Sequence, residues 1–196
     1  MKKIVITGGP CGGKTTVIER LKKDFGRGLV FAPEVATQVL NSGFPVPGKD
    51  VEWSQEWQDS FQKEVWRRQI EQEEKFITIG KKMGAKAVIF DRGRLDGASY
   101  LEGGVSELCE QFQVTEGDCI KHYDVVIHIE SLAKVAPELY TKGQAGRFES
   151  LSRALEVEEK CKLAWKAHRQ RVVVSTSDMT RKVYWVLGII DYAVVS

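Results

Sequence analysis

The chain has 196 residues, enough for one domain with a sizeable core, and neither an internal repeat nor a low-complexity stretch divides it. A formal net charge of +2 and an isoelectric point near 8.3 exclude nucleic acid or a membrane surface as a partner held by bulk charge. The four cysteines, at positions 11, 109, 119 and 161, form no C-x-x-C pair, which excludes a zinc ribbon or a disulfide framework. With no leader-like segment ahead of the first apolar run, and no run near the ~20 residues that cross a bilayer, a reduced, cytoplasmic chain without a membrane span is expected.

In chain order, the apolar run Ile4-Val5-Ile6 reads as a buried strand. It feeds Gly8-Gly9-Pro10-Cys11-Gly12-Gly13-Lys14-Thr15, a full match to G-x-x-x-x-G-K-[ST], and Thr16 to Lys23 follows as an amphipathic helix. Strand, glycine-rich loop and helix in that order predict a phosphate-binding loop. The backbone amides and the helix N-terminus supply positive potential, Lys14 reaches the terminal phosphates, and Thr15 ligates Mg²⁺. Gly9, Pro10, Cys11, Gly12, Gly13, Lys14, Thr15 and Thr16 are the expected nucleotide-binding set. Cys11 lies in that positive loop and draws no catalytic role.

Strands are predicted at Lys3 to Thr7, Leu29 to Pro33, Ala87 to Asp91, Val125 to Ile129 and Val172 to Ser175, with helical patterns between them. Valine- and isoleucine-rich strands alternating with amphipathic helices predict an α/β sheet covered on both faces. Ligands bind such sheets beyond the carboxyl ends of the strands. Those ends carry Thr7-Gly8, Glu34, Asp91-Arg92, Glu130-Ser131 and Ser175 to Asp178.

After the second strand, Asn41 to Gly48 is a Gly/Pro-rich loop able to border a pocket. A long helix is expected from Trp53 to about Lys82. Trp53, Trp57, Phe61, Val65 and Trp66 lie at helical spacing and read as a core stripe, with Trp53 or Trp57 the candidates to stack on a planar substrate. Leu132 to Arg171, about forty residues, is long for a crossover and lid-like. Its first part, Pro137 to Arg147, is irregular; its second is a helix with Leu151, Leu155, Cys161 and Trp165 along one side. Arg147 and Arg153 flank that helix, where they can close over transferring phosphates.

Asp91 closes an apolar strand and is expected to hold Mg²⁺ directly or through water. Arg92 follows it where many ATPases carry a glutamate that polarises water, and no N-K-x-D guanine-reading motif occurs, Thr141-Lys142-Gly143-Gln144 lacking the final acid. An ATPase motor and a signalling GTPase are therefore disfavoured. What remains is an acceptor-side arrangement, with Glu34 able to accept a hydroxyl proton or hold a ribose and Arg92 able to clamp an anionic or hydroxyl-bearing group. A dipole-stabilised carboxylate at a helix start is the alternative for Glu34. His122, His128 and His168 show no metal-ligand spacing, and His128, inside an apolar strand, reads as a core residue.

These motifs resemble a family of P-loop ATPases with a kinase-like fold, related to the ribosylnicotinamide kinase domain and to the TRP-like translocation-defect protein. The resemblance is carried by Ile6 to Pro10 with Gly13 to Thr16, by Pro33-Glu34-Val35-Ala36, by Asp91-Arg92-Gly93 with Asp96 and Tyr100, and by Gly146-Arg147-Phe148-Glu149, and covers nearly the whole chain. It implies a three-layer P-loop fold of kinase type with a five-stranded parallel sheet in the order 2-3-1-4-5 and a helical lid. It further implies an adenine-contacting loop near Ser175 to Asp178, including Ser177, and a lid arginine at Arg147. Together, motifs and resemblance lead to the expectation of Mg²⁺-dependent phosphoryl transfer from ATP, with GTP as the alternative donor, to a nucleoside, nucleotide or ribosyl compound. Lys14, Glu34, Asp91, Arg92 and Arg147 would be catalytic, with Thr15 and Asp91 on the metal. The alternative is a nucleotide-gated binding protein with slow hydrolysis and a protein or lipid partner. The oligomeric state stays open.

Overall fold

The computed structural model describes residues 1–26, 28–140 and 150–196. Five strands, β1 (Lys2–Thr7), β2 (Leu29–Ala32), β3 (Ala87–Asp91), β4 (Val125–Ile129) and β5 (Arg171–Val174), pair in parallel in the order β2-β3-β1-β4-β5. β2 stops at Ala32, one residue before the predicted end, where Pro33 has no N–H to give. β5 lies one residue earlier than predicted.

The period-two alternation of the strands divides the core between two layers. Ile4, Ile6, Ile89, Ile127 and Ile129 face α1 (Lys14–Phe25) and α8 (Met179–Val195). Val5, Val88, Phe90 and Val126 face the opposite layer, built from α3 (Gln55–Lys82), α4 (Gly104–Phe112), α5 (Glu116–Lys121), α7 (Leu151–Ala164) and a 3₁₀ turn at Arg94–Tyr100. Both faces are thus covered, as parallel strands require. The register sets Ile6 beside Asp91 and Thr7 beside His128, so the chemistry-bearing strand ends share one edge.

The long helix starts at Gln55, capped by Ser54, whose side chain accepts from the Trp57 amide. Trp53 therefore lies ahead of the helix and is 61% exposed. Phe61 packs with Val35 and Val39, the latter two from α2 (Val35–Asn41). The deepest side chains of α3 include the polar Gln62, Gln69 and Glu73, so the predicted stripe is a mixed surface facing a cavity and not a plain core seam.

In α7 the buried side consists of Ala154, Val157, Glu158, Cys161 and Ala164, with Trp165 just past the helix end. Leu151 is exposed and Leu155 half-buried, a correction to the predicted apolar side; the small alanines let α7 approach the 3₁₀ turn closely. Trp165 is fully buried and meets Tyr123 edge to face at 5.5 Å. A Cβ on Gly93 would come within 3.0 Å of the Trp165 ring, so the glycine after Asp91-Arg92 makes room for this indole beneath the strand end. Trp165→Ala is expected to lower unfolding free energy by about 3–5 kcal/mol, read as a reduced urea midpoint with an unchanged slope.

Candidate functional site

Between β1 and α1 the loop is shaped by residues in unusual backbone conformations. Gly8 has φ 132°, and a Cβ there would sit 2.0 Å from the Ile129 carbonyl oxygen, so no other residue fits. Cys11 and Gly13 occupy the left-handed region at φ 58° and 82°. Left-handed residues in a loop of this kind, ahead of the α1 N-terminus, are the backbone geometry that anion-binding turns use. Cys11, a non-glycine in that region and half-exposed, is tied down through its carbonyl, which accepts from the Leu132 amide at 3.3 Å.

Lys14 is buried in the loop, its Nζ donating to the carbonyls of Gly8 (2.8 Å) and Gly9 (2.7 Å). Burial, and then the Arg92 charge, lower its pKa, against the opposing pull of Glu34 and Asp91. Thr15 and Thr16 are exposed on the first turn of α1.

Glu34 stands at the N-cap position of α2 in an extended conformation without a side-chain cap bond, and its carboxylate turns instead to Arg92, whose Nε donates to Glu34 Oε1 at 2.5 Å. Arg92 itself has φ 70°, a strained conformation for a side-chain-bearing residue, and its Nη1 lies 3.4 Å from the Gly8 carbonyl and 3.5 Å from Asp96 Oδ1. Asp96 is buried and accepts from the Thr7 hydroxyl and, at 2.7 Å, from the Gly93 amide. Burial alone would raise the Glu34 pKa. The Arg92 charge, with hydrogen bonds from Thr37 and Arg92, outweighs it and holds the carboxyl at about 2. Asp91 goes the other way, to about 6, because it is buried and faces Glu34. Its Oδ1 is buried without a hydrogen-bond partner among the described residues.

Glu34 and Arg92 stand at the rim of a cavity of about 400 Å³ enclosed by α2, α3, α4 and the 3₁₀ turn. Trp57, Phe61, Trp66 and Phe112 form aromatic walls, with Trp57 stacked on Phe61 at 5.0 Å and Trp66 on Phe112 at 4.5 Å. Gln62 and Gln69 supply amides from α3. The Gln69 Nε2 donates to Glu73 at 2.8 Å. Of the two stacking candidates, Trp57 lines this space, and its Nε1 is held by the Pro45 carbonyl at 2.8 Å; Trp53 is not part of the wall.

Other predicted residues fall outside this cluster. Arg153 is half-exposed and paired with Glu156 one turn along α7 at 2.7 Å. Ser177 is exposed in the turn from β5 into α8, beside Asp178, which caps α8 by accepting from the Arg181 amide at 2.8 Å. Arg147, with Gly146, Phe148 and Glu149, lies outside the described residues.

Sequence reading missed two buried charges behind the loop. Glu158 of α7 is fully buried and accepts from the Gly9 amide (2.8 Å), the Ser131 amide (3.1 Å) and His128 Nε2 (2.6 Å). Lys182 of α8, also buried, donates to the Gly12 carbonyl at 2.7 Å. The signals were a glutamate and a lysine on otherwise apolar helix faces, and a histidine inside β4 that needed a partner. His128 is a buried core residue whose Nε2 is satisfied by Glu158, as read from the sequence.

Strand order, loop and enclosing helices define a P-loop protein with a kinase-type α/β fold. A family model described as AAA domain matches residues 3–182, and the chain belongs to that family. Among solved structures it is similar to deoxyadenosine kinase from M. mycoides, solved with the product dCMP and a flexible dCDP bound. The TM-score is 0.57 and the identity 15%, over 97% of this chain and 99% of that one. No curated protein sequence matches the chain.

The Glu34–Arg92 pair sets a testable electrostatic state. The depressed Glu34 pKa means that its charge adds stability fully present above its ordinary value of 4.5 and lost as pH falls toward about 2. In Arg92→Gln the burial effect loses its largest opposing contribution, with the Thr37 hydrogen bond and the Lys14 charge left against it. Carbon NMR titration of the Glu34 side chain is expected to show its pKa rise from about 2 to the ordinary value or higher.

Proposed function

We propose that the protein is an ATP- and Mg²⁺-dependent phosphotransferase acting on a hydroxyl of a nucleoside, nucleotide or related ribosyl compound. The observation that carries this reading is the aromatic-walled cavity whose rim residue, Arg92, also reaches the Gly8 carbonyl of the phosphate-binding loop. Acceptor space and donor loop thus share one side chain. A volume of about 400 Å³ with flat ring walls suits a planar heterocycle bearing a sugar, which the likeness to a deoxyadenosine kinase and the resemblance to the ribosylnicotinamide kinase domain also favour.

The residues present fit a metal-bound polyphosphate. The unpartnered Asp91 Oδ1 and the exposed Thr15 hydroxyl are the two protein oxygens for Mg²⁺, which would neutralise charge on the phosphates. A pKa near 6 leaves Asp91 ionised at neutral pH. Lys14 exchanges its two loop carbonyls for phosphate oxygens. Arg147 is proposed to neutralise charge from the lid side, and Ser177 to border the adenine.

Glu34, with its pKa held to about 2, is a weak base, so its contribution is to orient the acceptor hydroxyl as hydrogen-bond acceptor and to take the proton late. That suits a loose phosphoryl-transfer transition state, in which positioning and charge compensation supply most of the rate. Arg92 holds Glu34 aimed into the cavity and keeps one guanidinium edge toward the loop.

The decisive measurement is ADP release from ATP across a panel of nucleosides, nucleotides and sugars, where at least one acceptor is expected to accelerate release well above basal hydrolysis. Slow hydrolysis that no acceptor changes would favour the nucleotide-gated binder. With that acceptor, Lys14→Ala is expected to abolish turnover. Glu34→Gln should lose on the order of 10²-fold in single-turnover rate while ATP binding by calorimetry stays near wild type.

A further inference from the structure

We infer that Glu158 is a positioning residue that locks the Gly8–Gly9 peptide plane and, through it, places Lys14 and Arg92. This peptide is trans, as are all the described peptide bonds, so its carbonyl and its amide point to opposite sides. On one side the Gly9 amide donates to Glu158 Oε2 at 2.8 Å. On the other the Gly8 carbonyl accepts from Lys14 Nζ at 2.8 Å and faces Arg92 Nη1 at 3.4 Å. One rigid plane therefore ties a fully buried carboxylate of α7 to two cations of the proposed site. Rotating that plane releases all three contacts together.

Two further observations show that the contact is built and not incidental. A Cβ on Gly9 would lie 2.6 Å from Glu158 Oε2 and 2.9 Å from its Cα, so α7 requires glycine at a motif position where phosphate binding alone tolerates other residues. The carboxylate is also fixed from behind, by the Ser131 amide at 3.1 Å and by His128 Nε2 at 2.6 Å, the latter on the other oxygen. Burial pushes its pKa up, yet His128 and the two amides prevail and keep it ionised. A polarised, charge-assisted bond to Gly9 N–H follows, stronger than a neutral one.

The role of Glu158 in catalysis rests on the phosphotransferase reading; its hold on the peptide does not, and the experiment separates the two. The Gly9 amide exchange rate is measured by NMR and Mg²⁺–ATP affinity by calorimetry, in wild type, Glu158→Gln and His128→Gln. Glu158→Gln keeps volume and loses charge. Gly9 exchange is expected to rise at least about tenfold and ATP affinity to fall about tenfold or more, the scale at which a loosened supporting contact is felt. His128→Gln removes the imidazole that helps to fix and ionise the carboxylate but leaves both amide contacts; both readouts are expected to shift in the same direction as in Glu158→Gln, and by less. Should Glu158→Gln fail to fold, Glu158→Asp keeps the charge but shortens the reach to Gly9, and the same two losses are expected.

Wild-type Gly9 exchange and ATP affinity in a folded Glu158 variant overturn the proposal, as does a rise in exchange spread evenly over the chain's protected amides, which marks general destabilisation and not a released Gly9. If the wild-type chain binds no ATP, the phosphotransferase reading falls and the Gly9 exchange comparison alone decides.

Discussion

The site depends on one guanidinium. Arg92 is held in a left-handed backbone conformation at the end of β3, the strand between β2 and β1, and from there it bonds Glu34, faces Asp96 and reaches the Gly8 carbonyl. Each of those groups belongs to a different piece of chain, so the cation sets the distance between the aromatic-walled cavity and the P-loop. The strain of its φ, of order 1–3 kcal/mol, is offset by a charge-assisted pair to Glu34 and by the neighbouring Asp96 carboxylate. Gly93 and Trp165 complete the constraint. The missing Cβ lets the indole pack beneath the strand end, which fixes where the guanidinium emerges.

Much of this was legible in the sequence. Unbroken apolar runs gave the strands to within a residue, because a strand buried on both faces tolerates little else. The loop motif marked its own position, since its glycines answer to steric limits that leave few alternatives. Glu34 and Arg92 were legible as strand-end residues facing the binding edge. Their direct pairing was not: they lie 58 positions apart, and only the sheet order brings β2 beside β3.

What stayed hidden was polar and long-range. Glu158 lies on a helix whose apolar pattern pointed to Leu151 and Leu155, yet the helix turns its alanines and this carboxylate inward. A glutamate on a helix is ordinarily solvated, so only the geometry of Gly9, 149 positions away, shows that it is not. The α3 stripe misled in the same manner. Helical spacing reveals a buried face but not that the same face also borders a cavity: Phe61 packs with Val35 and Val39 and Trp66 joins the core, while both, with Trp57, line the cavity as well.

The loop as it stands satisfies itself. Lys14 spends its hydrogen bonds on Gly8 and Gly9, Lys182 on Gly12, and Glu158 on Gly9, so the cradle is closed by internal contacts before any phosphate arrives. Burial lowers the pKa of both lysines, which marks the ammoniums as short of counter-charge. An entering polyphosphate supplies that charge and competes with carbonyl dipoles, which are weaker acceptors than anionic oxygen. The internal contacts thus hold the loop in shape, with α7 bonded to the Gly9 amide and α8 to the Gly12 carbonyl. Rigidity comes from α7 and α8, while the binding proposed for the loop falls to Lys14 and to the Asp91 oxygen that has no partner among the described residues.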